Sequence, residues 1–152
     1  MSVLDPGAAV PSFRLTTEAG EPFTEQDLQG RTTVLVFYPF AFSPVCTEQL
    51  QVYERALDDI TAGGAVIYGV SCDATWSQKA FREQLGVSIP QLSDFEPKGA
   101  ACAAFGVLHD GGFPQRALVI TGPDGVVRWS YQAPSPADLP EVRLILGGLK
   151  NL

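Results

Sequence analysis

Two apolar segments on either side of a helix-forming segment constrain the fold of this chain more than any other feature. Residues 32–38 read TTVLVFY and residues 65–73 read AVIYGVSCD. Both runs are rich in β-branched and aromatic residues, which is typical of strands buried on both faces. The segment between them predicts a helix over about residues 44–61. Strand, helix and strand in this order predict a βαβ unit with parallel strands and a right-handed crossover.

The remaining segments predict an α/β fold with a mixed central sheet and helices on both of its faces. The predicted elements are an N-terminal hairpin over residues 12–24, a helix over 75–85 that Gly86 ends, a short helix over 99–105, a hairpin over 116–132 and a last helix over 135–149 that has Pro136 at its first position. We find no linker or repeat, so we expect residues 1–152 to form one domain.

Composition excludes several classes of function. The net charge is −7, with 10 Lys and Arg against 17 Asp and Glu, and no basic run is present. Nucleic acids and anionic membranes are therefore not expected as partners. The N-terminal residues do not resemble a secretion signal, which favours a cytoplasmic protein.

The cysteine and histidine counts argue against disulfides and metal sites. Cys46, Cys72 and Cys102 are an odd number of thiols with no CxxC pair, and His109 is the only histidine. We therefore expect reduced thiols, no metal and no cofactor. His109 lies in a predicted turn and receives no catalytic role.

Cys46 lies in the first turn of the predicted helix that follows the first buried strand. Ser43 and Pro44 are typical of the N-cap and of the first helical position, which makes Cys46 the third residue of the helix. Free backbone N–H groups and the helix dipole stabilise a thiolate there, and a thiolate is a nucleophile. However, Cys46, Leu50 and Tyr53 also form an apolar stripe facing the sheet, and a buried cysteine is usually inert. The local sequence leaves both interpretations open.

A longer pattern resembles the active site of the peroxiredoxins. The family pattern is Pro, three residues, Thr or Ser, two residues and Cys, which Pro39, Ser43 and Cys46 match, and Arg116 matches an arginine at the start of a late strand. Segments such as GVSCDATWSQKAF and IPQLSDFEPKGAACAAFGV extend the similarity over nearly the whole chain. The chain is most similar to the one-Cys, alkyl hydroperoxide reductase E-like group and to the peroxiredoxin Q (bacterioferritin comigratory protein) branch.

This resemblance implies a thioredoxin-like fold with an N-terminal β-hairpin extension, and a thiol-dependent peroxidase. Cys46 would attack hydrogen peroxide or an organic hydroperoxide and become a sulfenic acid. Arg116 would stabilise the thiolate and the leaving oxygen. Ser43 would orient the peroxide, and Pro39 would shield the sulfur from water. The alternatives are that Arg116 is an exposed surface charge and that Ser43 is only an N-cap.

The sulfenic acid must then be reduced, either by an external thiol or by a second cysteine. Relatives carry a second cysteine where this chain has Gln51 or Arg82, which leaves Cys72 and Cys102 as candidate resolving cysteines. Cys72 is the better candidate because its strand should end at the same edge of the sheet as the Cys46 loop. Core packing is the favoured interpretation of both cysteines. An external reductant would be a thioredoxin or a mycoredoxin-type protein.

Three aromatic residues and one acid are candidates for the substrate pocket. Phe40, Phe42 and Trp76 would line an apolar mouth that favours organic hydroperoxides, although core packing is the preferred interpretation of all three. Glu48 stands one residue before Gln49, where the family often has a glutamate that organises the site. The favoured alternative is that Glu48 has no role in the site and is an acid that stabilises the first helical turn.

Two other functions compete with the peroxidase interpretation. One is a thiol-disulfide oxidoreductase or monothiol glutaredoxin-like protein that uses Cys46 without needing Arg116. The other is a non-catalytic binding module with a thioredoxin fold. The spacing of the four matched residues favours the peroxidase, and the resemblance makes a homodimer plausible.

Overall fold

A computed structural model describes residues 2–152. The strands are Arg14–Thr17 (β1), Pro22–Thr24 (β2), Thr33–Phe37 (β3), Val66–Ser71 (β4), Gln91–Ser93 (β5), Ala117–Thr121 (β6) and Val127–Gln132 (β7). The α-helices are Pro44–Arg55 (α1), Leu57–Thr61 (α2), Thr75–Leu85 (α3), Ala100–Ala104 (α4) and Val142–Lys150 (α5), and Glu25–Leu28 forms one turn of 3-10 helix.

Within residues 2–152, seven strands form one mixed sheet in the order β2-β1-β5-β4-β3-β6-β7. β3, β4 and β5 are parallel, whereas β6 and β7 add to β3 as an antiparallel pair. The N-terminal hairpin extends the sheet beyond β5. The βαβ unit, the mixed sheet and both hairpins are confirmed. Among the described residues there is no helix with both the length and the apolar composition needed to cross a membrane.

The sheet separates two layers of buried side chains. Alternate residues of β3 point to opposite faces, with Val34 and Val36 on one and Leu35 and Phe37 on the other. We call the first face the helix layer, where α1, α2, α3 and α5 contribute Cys46, Leu50, Tyr53, Ile60, Phe81 and Ile145. We call the opposite face the hairpin layer, where the N-terminal hairpin contributes Phe13, Leu15 and Phe23, the residue after β4 contributes Cys72, and α4 with its C-cap contributes Cys102 and Phe105.

The single helix predicted over residues 44–61 is wrong, because the chain leaves the helical conformation at Ala56. Ala56 has φ −101° and ψ 9°, and its N–H bonds to the carbonyl of Tyr53. The shorter α2 that follows packs against both β4 and α5. Ile60 is thereby buried in the helix layer.

The prediction that Pro136 begins the last helix is also wrong, since α5 begins at Val142. Ser135 forms a local turn instead, in which its side chain and carbonyl accept the N–H groups of Ala137 and Asp138. Pro140 then disfavours the helical conformation at the residue before it. The three-residue strand β5 was not predicted.

Candidate active site

The loop after β3 positions the start of α1 at the carboxyl end of the sheet. Ser43 has extended backbone angles, its carbonyl accepts the N–H of Thr47 at 2.9 Å, and Pro44 begins the helix. The predicted N-cap position is therefore confirmed. The Ser43 hydroxyl does not cap the helix, because it donates to the carbonyl of Phe40 at 3.0 Å. Cys46 is the third residue of α1, as predicted from the Ser-Pro start.

Cys46 is both buried and in contact with a cation. Its side chain has no exposed surface and packs in the helix layer with Leu50 and Tyr53. Its Sγ accepts a hydrogen bond from Nη2 of Arg116 at 3.2 Å. The apolar stripe is therefore real, yet it does not make Cys46 a purely apolar side chain. The buried guanidinium places a permanent positive charge in contact with the sulfur.

Arg116 is 3% exposed, so the surface-charge alternative is wrong. Besides the bond to Cys46, its Nη1 donates to Oε1 of Gln49 at 2.5 Å and its Nε donates to the carbonyl of Pro136 at 2.7 Å. A buried charge is costly unless hydrogen bonds compensate it. These three acceptors hold the guanidinium in one orientation against the sulfur.

Gln49 also takes part in further hydrogen bonds, which we did not predict from the sequence. Its Nε2 donates to the hydroxyl of Tyr53 at 3.2 Å, and that hydroxyl donates to the carbonyl of Pro140 at 2.7 Å. Burial raises the pKa of Tyr53 to about 12, which keeps the hydroxyl protonated and able to donate. Glu48 is exposed and lies beyond the first turn of α1, so the alternative interpretation of Glu48 as an acid in the first helical turn is wrong.

The loop before α1 is tied to the end of β4. The N–H of Ala41 donates to Oδ2 of Asp73 at 2.8 Å, and the same oxygen accepts the hydroxyl of Ser71 at 2.8 Å. Phe42 adopts a positive φ of 71°, and its ring packs against Phe81 with centroids 5.1 Å apart. A positive φ is costly for a bulky residue, so these contacts hold the loop in a strained conformation.

A pocket of about 320 Å³ opens over this loop. It is lined by Pro39, Phe40, Ser43, Pro44, Val45, Phe113, Arg116, Pro136 and Ala137. Pro39 is buried in its wall, whereas Phe40 is 49% exposed. Most of the lining is apolar, and the Ser43 hydroxyl and the Arg116 guanidinium supply polar groups.

The other two aromatic candidates do not line this pocket. Phe42 is 50% exposed on the outer side of the loop, and Trp76 is 79% exposed on α3, with its ring 5.8 Å from Nζ of Lys79. The preferred interpretation of Phe40, Phe42 and Trp76 as core residues is therefore wrong.

Cys72 and Cys102 lie in the hairpin layer and not in the helix layer of Cys46. All three thiols are free. Cys72 does follow the carboxyl end of β4, as expected, but its side chain belongs to the opposite face of the sheet. A resolving role for either cysteine stays a prediction.

The chain is similar in sequence to several known proteins. Residues 6–130 match the model of the AhpC/TSA family. Alkyl hydroperoxide reductase E of Mycobacterium tuberculosis is 27% identical over 152 residues, which cover 99% of each chain. Alkyl hydroperoxide reductase C of Amphibacillus xylanus is 32% identical over 129 residues, which cover 80% of this chain and 69% of that protein.

Solved structures show the same fold. Peroxidoxin BcpB of Mycobacterium tuberculosis superposes with a TM-score of 0.83 at 25% identity over 97% of each chain. The bacterioferritin comigratory protein of Xanthomonas campestris superposes with a TM-score of 0.81 at 27% identity, over 99% of this chain and 98% of that one. The predicted thioredoxin-like fold is confirmed.

Replacing Gln49 by Leu should destabilise the protein. The change removes a partner of both the Arg116 guanidinium and the Tyr53 hydroxyl inside the core, so we expect the free energy of unfolding to fall by about 2–4 kcal/mol. Gln51→Leu is the matched control, because Gln51 is exposed on the same helix and its loss should change stability by less than about 0.5 kcal/mol. Urea unfolding measures both, and equal stabilities of the two variants would contradict the assigned network.

Proposed function

This chain belongs to the AhpC/TSA family and is a thiol-dependent peroxidase, and we propose that Cys46 is the thiol that attacks the peroxide. The observation that carries the assignment is the 3.2 Å hydrogen bond from Arg116 to its sulfur. Neither Cys72 nor Cys102 has a hydrogen bond from an arginine among the described residues. Arg116 therefore distinguishes Cys46 from the other two thiols.

In the proposed reaction the Cys46 thiolate attacks one peroxide oxygen and the O–O bond breaks. The sulfur becomes a sulfenic acid, and the other oxygen leaves with the bonding electron pair and takes up a proton as an alcohol or water. Negative charge spreads from sulfur over both oxygens in the transition state. Arg116 stabilises that charge in a site where water screens little, which makes it the strongest electrostatic contributor to the step.

Ser43 and Pro39 complete the proposed site. The Ser43 hydroxyl lines the pocket and already donates to the Phe40 carbonyl, so its oxygen remains free to accept a hydrogen bond from the peroxide. Pro39 has no N–H group and forms an apolar wall that limits water near the sulfur. Together with Arg116 they would hold the peroxide for attack by Cys46.

The competing functions explain these contacts less well. A thiol-disulfide oxidoreductase or a monothiol glutaredoxin-like protein would not need a buried arginine on its nucleophile. A non-catalytic binding module would have no use for a buried cation held against a thiol. The arrangement around Arg116 supports the peroxidase over both.

Replacing Cys46 by Ser should abolish catalytic consumption of hydrogen peroxide, because the alcohol is not a useful nucleophile at neutral pH. Cys102→Ser is the matched control and should retain turnover within about twofold, since Cys102 lies across the sheet from Arg116. Peroxide loss with a thiol reductant present measures both rates. Retained turnover in the Cys46 variant would refute the assignment.

An external thiol is our proposed reductant. Cys46 lies in the helix layer, and the sheet separates it from Cys72 and Cys102, so a direct internal disulfide would need the sheet edge to rearrange. A thioredoxin or a mycoredoxin-type protein would supply the electrons. A cytoplasmic location is part of the proposal, because a reducing compartment maintains three free cysteines.

The apolar pocket favours organic hydroperoxides as substrates over hydrogen peroxide. Phe40→Ala removes an exposed aromatic wall, so we expect KM for cumene hydroperoxide to rise about fivefold and KM for hydrogen peroxide to stay within about twofold. Trp76→Ala is the control, because Trp76 is exposed away from the pocket. An equal change for both peroxides in the Phe40 variant would contradict the proposed preference.

We also propose a homodimer that forms through the loops beside the pocket. Phe40, Phe42 and Phe95 are each about half exposed, Phe40 and Phe95 line the same pocket, and exposed aromatic side chains are typical of an interface. Sedimentation equilibrium at micromolar concentration should give twice the 16.3 kDa chain mass. A mass equal to one chain at all concentrations would contradict the dimer.

A further inference from the structure

Cys72 and Cys102 form a pair of thiols that the peroxidase mechanism does not use. Cys72 lies in a bend just after β4, and Cys102 lies on α4. Their sulfur atoms and a carboxylate oxygen of Asp94 lie within 4.8 Å of one another. The pair is buried in the hairpin layer, on the opposite face of the sheet from Cys46.

Asp94 holds Cys102 toward Cys72. One carboxylate oxygen accepts the N–H of Ala101 at 3.0 Å, and the other accepts the N–H of Cys102 at 2.8 Å. Both oxygens therefore bond to the start of α4, which fixes the carboxylate beside the two sulfur atoms. Within the described residues this cluster offers three ligand groups, one fewer than a structural zinc site uses, which favours a thiol pair over a metal site.

The two thiols are chemically unequal. The hydrogen bond from Cys102 lowers the pKa of the Cys72 thiol, and burial opposes this effect. The same hydrogen bond, together with burial, raises the pKa of Cys102 well above its usual value. Cys72 is therefore the better nucleophile, and Cys102 is the thiol positioned to react with it afterwards.

Small molecules can approach Cys72 but not Cys102. Cys72 lines a pocket of about 310 Å³ together with Pro39, Phe40 and Phe113, among other residues. Pro39, Phe40 and Phe113 also line the pocket above Arg116, so the two pockets are neighbours. Cys102 has no exposed surface. A peroxide that reaches the outer face of the loop can therefore meet either pocket.

We propose that Cys72 and Cys102 are a second redox centre, which a hydroperoxide oxidises to an intramolecular disulfide without Cys46. The Cys72 thiolate attacks one oxygen, the O–O bond breaks, and an alcohol or water leaves after protonation. The Cys102 thiol then attacks the Cys72 sulfenic acid, an S–S bond forms, and water leaves. Each sulfur loses one electron, and the peroxide gains two. Because no arginine among the described residues donates a hydrogen bond to Cys72, this oxidation is slower than that of Cys46.

The experiment treats the Cys46→Ser variant with hydrogen peroxide and follows free thiols and intact mass. We expect both remaining thiols to disappear together, a mass loss of two hydrogen atoms, and a peptide in which Cys72 is linked to Cys102. In Cys46→Ser/Cys102→Ala, Cys72 should gain one oxygen atom and form no disulfide. In Cys46→Ser/Cys72→Ala, oxidation of Cys102 should be at least about tenfold slower.

Three results would overturn the proposal. In the first, both thiols of folded Cys46→Ser persist after treatment with hydrogen peroxide. In the second, the variant gains oxygen but forms no disulfide. In the third, it binds one equivalent of Zn²⁺ tightly and its thiols stay unoxidised. The test is separate from that of the proposed function, because the latter rests on catalytic turnover. Persistent thiols with turnover dependent on Cys46 would remove only the second centre. Turnover at the wild-type rate in Cys46→Ser would refute the proposed role of Cys46, because the second centre is expected to react more slowly.

Discussion

The buried guanidinium of Arg116 is the interaction on which the rest of the site depends. It lies at the start of β6 and reaches α1 through Cys46 and Gln49, and the loop before α5 through the carbonyl of Pro136. Three parts of the chain that are distant in sequence therefore meet at one fixed cation. Each hydrogen-bond acceptor that a buried guanidinium lacks costs free energy, so few arrangements of the surrounding chain are stable. The hydrogen bonds of Arg116 therefore specify the local fold as well as the chemistry of the site.

The sheet gives the three thiols different environments. Alternation along the strands directs neighbouring side chains to opposite faces, so Cys46 shares its layer with an arginine, whereas Cys72 shares its layer with Cys102 and Asp94. Asp73, the residue after Cys72, also accepts the N–H of Ala41 from the loop before α1. The loop beside the first thiol is thus anchored to the chain segment beside the second.

Much of the fold and part of the site could be predicted from the sequence. Two continuous apolar runs on either side of a helix-forming segment predicted the βαβ unit, and Gly86 was correctly placed at the end of α3. The Ser43-Pro44 helix start placed Cys46 in the first turn of α1 from local signals alone, whereas the role of Pro39 came from the family pattern. The pairing of Arg116 with Cys46 required a family pattern, because no local signal joins residues 70 positions apart.

Other features could not be read from local patterns. Pro136 and Ser135 resemble a helix start, but the same residue types also form turns, and the tertiary contact with Arg116 decides between them. Gln49 reaches Arg116 because it lies three residues after Cys46, on the same face of α1, whereas Glu48 lies on the exposed face.

The neutral side chain at position 49 has a consequence for the stability of the protein. The hydrogen-bond partners of Arg116 are an amide, a carbonyl and sulfur, and of these three groups only the sulfur can carry a negative charge. Converting that sulfur to a neutral sulfenic acid leaves a buried cation without a counter-charge in its own shell. Under the proposed mechanism, folding free energy and the oxidation state of Cys46 are therefore linked, and we expect the oxidised chain to be the less stable of the two.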